Sequence, residues 1–506
     1  MSADTLDIVP LDGAIPAGRA RVSAAQWRAV CERAAAEGAR LVALWGADEG
    51  AHLSVHAALA APGGLLWITL DGDQYPDVSD LFPAANRMQR AAHDLAGVLA
   101  VGAADRRPWV RHGAWPADVF PLRKGFDAAT VYHNAGDDYP FVQVAGDGVH
   151  EIAVGPVHAG TIEPGHFRFS VLGERVLRLE ERLGYTHKGI EKRFEQLELA
   201  DAAKLAARIS GDSTVAYGWA YAMAVEGALG VRPPDRAIWL RALCLERERV
   251  ANHLGDLGFL GNDAGLAFGL AQFSRLKEDV LRANLAMFGH RFIMDVVVPG
   301  GVARDLSADD VERMLRECDA LEGEVAKLHA IYDDHPGLQD RFTTCGTVTP
   351  ELAARLGLIG LAGRASGQAW DLRVQHPHAP YDALEARMAG DAAGDVAARV
   401  RVRFDELAES LRLLRVIAAR LPAGEAFAPL PVLDRAAAGV GWVEGWRGDV
   451  FVALEALPGN AIRRLHPHDP SWQNWPVIEH AILGNIVPDF PLINKSYNLA
   501  YAGHDL

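Results

Sequence analysis

Cysteine is scarce in this chain: four in 506 residues, at Cys31, Cys244, Cys318 and Cys345, with no two spaced two or three apart. That excludes a Cys-x-x-Cys metal or redox framework and a disulfide scaffold. Cys318 falls on a helical apolar stripe with Val311, Met314, Leu315, Leu321, Val325 and Leu328, where a thiol behaves as a small hydrophobe. Positive charge is also short. The net charge of −16 argues against a nucleic-acid surface, which needs clustered Lys and Arg. The start, MSADTLDIVP, has no basic-then-apolar pattern, and the uncharged run Ser213 to Val225 is too short to span a bilayer. The expectation is a cytoplasmic protein whose membrane link runs through partners. No repeat or low-complexity tract is present.

Half of the residues are apolar and 23% charged, an ordinary globular composition, and 506 residues exceed one ordinary core. Residues 22–38 read as a helix. Leu41–Trp45, Leu53–Leu59 and Leu65–Leu70 read as short apolar strands. Pro121 to about Asp147 has the small and charged residues of a linker. Phe167, Phe169 and Val171 alternate into Leu172-Gly173-Glu174, a hairpin signal. Beyond residue 190 the pattern is helical: Pro233-Pro234-Asp235 marks a helix start, Ser307 with Asp310 a capping box, and residues 395–420 a further helix. Strands return near Val443 to Ala456. The class is therefore α+β, a small N-terminal α/β domain followed by a mostly helical domain with a β-hairpin. The boundaries are 1–125, a linker at 126–147, and 148–506. A cut near Ala135 to Asp138 is expected to leave two folded pieces.

Several segments carry a family likeness. They are Gly155-Pro156-Val157-His158, Glu163-Pro164-Gly165-His166-Phe167-Arg168, and Tyr185-Thr186-His187-Lys188-Gly189-Ile190-Glu191-Lys192. Pro299-Gly300-Gly301-Val302, Arg364-Ala365-Ser366-Gly367, Trp370-Asp371-Leu372-Arg373, Pro380-Tyr381 and Glu444-Gly445-Trp446-Arg447-Gly448 follow. In this order they resemble the 49-kDa subunit of complex I and the large subunit of group 4 NiFe-hydrogenases. The Glu-Pro at 163–164 is closer to the hydrogenase branch. Tyr75 to Asn86 with His93 to Val98 resembles the 30-kDa subunit of complex I, although Gln89 and Ala91 stand where that family has acidic residues. The same fusion occurs in formate hydrogenlyases and hydrogenase-4.

The resemblance implies a nickel–iron centre held by four thiolates, which hydroxyl or amide oxygen cannot replace. The matching positions here are Ser210, Ser213, Pro491 and Asn494. An active hydrogenase is thereby excluded, and no cofactor is expected on this chain. An oxygen site for Mg²⁺ from Ser210, Asp212, Ser213 and Asn494 is the alternative, with few carboxylates to support it. His376 to His378 and His466 to His468 are expected in surface loops. A complex I-type quinone site would need polar residues where Ile162 and Leu205 stand, so a quinone remains a second option, with His166 as a substitute ligand.

The resemblance further gathers Glu163, His158, His187, Glu191, Arg364, Asp371 and Arg373 into a central cleft. They serve there either as a proton route through Glu163 or as an ion-pair network in which Glu163 pairs with Arg168, Arg364 or Arg373. The implied setting is the cytoplasmic face of the inner membrane, beside a small iron–sulfur subunit and antiporter-like membrane subunits. A scaffold without redox chemistry is the alternative class.

Overall fold

The computed structural model describes residues 6–61, 63–134, 136, 138–158 and 162–506. It is the α+β arrangement that the sequence implies. The N-terminal unit is a five-stranded sheet in the order Val9–Leu11, Ala17–Arg21, Gly64–Asp71, Leu53–Ala61, Arg40–Asp48. Only the pair Ala17–Arg21 and Gly64–Asp71 is parallel. The central strands are apolar almost throughout because both faces are covered. The helix Ala24–Ala36 begins where Ser23 and Gln26 form a reciprocal capping box. The helix Ala85–Ala96 lies so close to the strand Arg40–Asp48 that a Cβ on Gly46 would come 2.8 Å from Ala96 and Val98. Glycine at 46 is thus a packing requirement.

Residues 102–148 form neither helix nor strand among the described residues, yet part of this connection is fastened. The Trp109 and Val110 N–H groups donate to Asp94 at 2.6 and 3.0 Å, and Tyr139 receives Arg90 at 2.7 Å. Of the expected cleavage segment, Ala135 and Asp137 lie outside the described residues.

The second unit opens with an antiparallel meander, Val149–Val154, His166–Leu172 and Arg175–Arg182. Five long helices follow: Thr214–Leu229, Asp235–Asp263, Ala267–Phe288, Ala308–Asp334 and Val396–Arg420. The first is buried on nearly every side and lies on the sheet Ala437–Glu444, Asp449–Leu457, Ala461–His468. That contact is backbone to backbone. A Cβ on Gly441 would meet the Ala220 carbonyl at 1.8 Å, and one on Gly439 the Ala224 carbonyl at 2.0 Å.

The His466 to His468 segment corrects an expectation. It is no surface loop but the end of a buried edge strand, where Pro467 forfeits no needed hydrogen bond. His378 is buried against Trp219, and His376 is half-buried between Trp370 and Trp442. The aromatic partners, distant in sequence, draw both segments inward.

The two units share one continuous apolar core. Across their seam Arg19 meets Glu455 at 2.5 Å, Arg40 meets Asp449 at 3.0 Å, and Arg87 meets Glu181 at 2.9 Å and Glu479 at 2.8 Å.

Candidate functional site

The long helix Asp235–Asp263 is buried over most of its length, and it carries Glu246, Arg249 and His253 at i, i+3 and i+7 on one face. The helix Val396–Arg420 brings Glu406 and Ser410 opposite. Into the gap between them the short helix Gly360–Arg364 inserts Arg364, and the turn at Asp371 inserts Asp371 and Arg373. Glu444 enters from the end of its strand. The Arg364 guanidinium reaches Glu406 at 2.6 Å, Glu444 at 2.8 Å and Asp371 at 3.8 Å. Arg373 reaches Asp371 at 2.7 Å and Glu246 at 3.2 Å. Arg249 meets Glu406 at 3.1 Å, and His253 shares the same oxygen at 3.0 Å. Tyr381 and Ser410 donate to Glu246 at 2.6 and 2.7 Å.

Three guanidiniums thus face four carboxylates, every one of them buried. Burial favours the neutral form of His253, and with that ring uncharged the network is balanced only if one carboxyl keeps a proton. Burial opposes ionisation of all four. Arg364 outweighs it at Glu406, holding that carboxyl well below its usual range, and Arg373 does the same at Asp371 and Glu246. Glu444 is the exception, because burial and the neighbouring Asp371 charge together push it up to about 7. Burial likewise raises Glu248, the residue before Arg249, to about 8 while it accepts the N–H groups of Val215 and Ala216 at 2.7 and 3.2 Å. The arrangement can take up and release a proton near neutral pH at Glu444.

Arg364, Asp371 and Arg373 were legible in the sequence, and the structure brings them together. Glu163, His158 and His187 do not join them, which corrects the expected single cleft. Glu163 is exposed and accepts the Ala502 N–H at 3.0 Å. His158 meets the Gly165 carbonyl at 2.8 Å, and His187 meets that of Asp505 at 2.8 Å. None of the three arginines proposed as a partner of Glu163 pairs with it. Arg364 and Arg373 are committed to the buried carboxylates, and Arg168 pairs with Glu151 at 3.0 Å. Glu191 binds Arg464 at 2.6 Å and His466 at 2.8 Å instead. Missed altogether were Glu246, Arg249 and Glu406. The signal for the first two was the run Leu243 to Val250, in which four consecutive charges interrupt an apolar stretch.

At the positions matching the family's nickel–iron ligands, Ser210 and Ser213 donate to Asp212 at 2.8 and 3.3 Å. Arg447 grips Asp212 through both oxygens, at 2.8 and 2.5 Å, and also donates to the Asn498 carbonyl. Burial disfavours the Asp212 charge, but Arg447 holds its carboxyl down at about 2. The Asn494 amide contacts Tyr501 at 3.5 Å. A donor set of two hydroxyls, an amide and a proline does not fit a nickel–iron centre. Nor does it favour Mg²⁺, since a guanidinium already neutralises its one carboxylate. All four cysteines are buried elsewhere, with Cys31 pushed up to about 12 by burial. Among the described residues one other group, Glu49, His56 and Glu455, has metal-ligand spacing. Arg463 contacts both of its carboxylates, and Arg19 also pairs with Glu455.

Sequence and structure comparisons give the family. Residues 20–132 match the family model of the respiratory-chain NADH dehydrogenase 30 Kd subunit, and residues 263–434 that of the 49 Kd subunit. These define a subunit of an oxidoreductase complex. The chain is 31% identical to formate hydrogenlyase subunit 5 of Escherichia coli, over 93% of this chain and 85% of that protein. It is 30% identical to hydrogenase-4 component G of the same organism, over 92% and 83%. A solved archaeal respiratory membrane complex, the membrane-bound sulfane sulfur reductase, contains a chain that superposes with a TM-score of 0.67 at 25% identity, over 71% of this chain and 98% of that one. The chain belongs to the family of fused 30-kDa/49-kDa complex I and formate hydrogenlyase-type subunits. Among the described residues no helix is long and apolar enough to cross a membrane.

Proposed function

We propose that this chain is the peripheral-arm large subunit of a membrane-bound, hydrogenase-4-like oxidoreductase that couples electron transfer to ion movement and has no nickel–iron centre of its own. Electrons pass through an iron–sulfur cluster in a small partner subunit, and ions move in antiporter-like membrane subunits. The chain itself stays on the cytoplasmic face of the inner membrane. The observation that carries the reading is the buried network of Arg249, Arg364, Arg373, Asp371, Glu246, Glu406 and Glu444, which has one more carboxylate than guanidinium. A scaffold kept only for its interfaces has no use for buried charge that apolar side chains would replace at no loss of stability. Glu163 and His187 lie apart, against the C-terminal helix Tyr501–Asp505, and His158 lies against the Gly165 carbonyl.

A quinone is the second reading. A cleft of about 440 Å³ lies between the connection and the helix Ile190–Phe194, lined by Pro121, Phe126, Lys192 and Leu205 among others. Its size suits a ring headgroup, although Leu205 offers no hydrogen bond. Affinity purification from membranes tests the main reading. Co-purification of an iron–sulfur protein and integral-membrane subunits is expected, and a chain recovered alone from intact membranes contradicts it. A quinone that photo-crosslinks near Leu205 would favour the second.

A further inference from the structure

At the seam of the two units the rings of four buried histidines and two tryptophans form an unbroken series. His56 stacks on Trp45 at 5.2 Å between centroids, and Trp45 stacks on His466 at 4.7 Å. His468 follows at 5.9 Å, Trp472 at 6.1 Å and His504 at 4.0 Å. Two of the histidines are backed by carboxylates. His466 Nδ1 lies 2.8 Å from Glu191, and His504 Nδ1 lies 2.8 Å from Asp505. Burial opposes the Glu191 charge and Arg464 outweighs it, while burial opposes that of Asp505 and His504 outweighs it, so both carboxyls are ionised. An ionised carboxylate at Nδ1 fixes the ring proton there. For His466 this leaves Nε2 as an acceptor, and it makes no hydrogen bond with the protein.

Beside these groups lies a narrow cavity of about 30 Å³, whose polar lining residues are Glu191, Arg464, His466, His468, Trp472 and Asp505. A water needs about 10–15 Å³ of such space and two to four polar partners. Trp472 Nε1 and Arg464 Nε are donors, buried and without a protein partner, and His466 Nε2 is the matching acceptor. Buried polar atoms seldom stay unsatisfied, and the residues that carry these donors and this acceptor line one space.

We propose that this cavity binds water and that the water relays an excess proton between the Asp505–His504 and Glu191–His466 pairs, across the seam of the two units. The transfer balances. A protonated Asp505 carboxyl, backed by the His504 Nδ1–H, gives its proton to the water, and the water delivers one to His466 Nε2. One O–H bond breaks at Asp505, one N–H bond forms at His466, and the new imidazolium lies against Glu191. The charged neighbours are Arg464 and His56 around His466, and Arg87 and Asp469 around His504, with His468 between. The relay needs neither the assembled complex nor its redox partner.

The isolated full-length chain suffices for the test. A high-resolution crystal structure is expected to show ordered water within about 3.2 Å of His466 Nε2. In ¹⁵N-histidine spectra His466 and His504 are expected to titrate as one coupled system, each in two steps. His466→Gln, which can still hydrogen-bond to Glu191, should reduce the His504 curve to a single step, and His504→Gln should do the same at His466. A dry cavity overturns the proposal, as does a hydrated one in which either ring titrates unchanged by substitution of the other. Should a variant fail to fold, the water positions and the wild-type curves decide.

Discussion

Arg364 Nη1 lies 2.8 Å from one oxygen of Glu444, while the Leu372 N–H donates to the other at 3.1 Å. Glu444 is therefore anchored on both sides yet is the member of the network pushed up to about 7 by burial and Asp371. Its folded pKa lies above the unfolded value of about 4.3. The folded state then binds the extra proton between those values, and stability falls as pH rises from about 4 to about 7. Glu444→Gln removes this slope. Chemical denaturation at pH 5 and pH 8 should show the variant gaining on wild type with rising pH; parallel behaviour would place the proton elsewhere.

Glu406 holds Arg364, Arg249 and His253 at once. Glu406→Ala leaves buried guanidiniums without their counter-charge, at about 3–5 kcal/mol. The variant is expected to unfold at a clearly lower temperature and to assemble poorly. Glu163→Gln keeps a side-chain oxygen for the Ala502 N–H at an exposed site. Its melting temperature should stay within the error of wild type.

Elemental analysis of the purified chain should find no stoichiometric nickel or iron, because Arg447 and Asp212 pair where the family's ligands would converge. Near one nickel per chain would contradict the reading of that locus.

A protease cut within residues 126–147 should leave the two pieces associated on size exclusion. Arg19, Arg40 and Arg87 each cross the seam to a buried carboxylate, and the apolar core is continuous. Separation of the pieces without denaturant would show the seam to be weak.

The N-terminal strands and their helix were legible because local period and the Ser23 cap decide them. The inward-facing rings of the two His-Pro-His segments were not. Proline between histidines reads locally as a turn, and only tertiary contact with Trp45, Glu191 and Trp219 turns those rings inward. Arg364, Asp371 and Arg373 could be placed by family motif. Glu246 and Glu406, more than 150 residues apart on two helices, have no local mark of entering one network. Glu163 was misplaced for a related reason, since motif order says which segments approach one another but not which side chains are already paired.

The central claim is that the buried network moves protons in step with electron transfer. Its most direct test is redox-driven ion uptake by membranes containing the assembled complex with Glu444→Gln. The account predicts normal assembly and coupled uptake reduced about 10²–10⁴-fold, the usual worth of a positioned proton-transfer group. Normal assembly with undiminished uptake would contradict it.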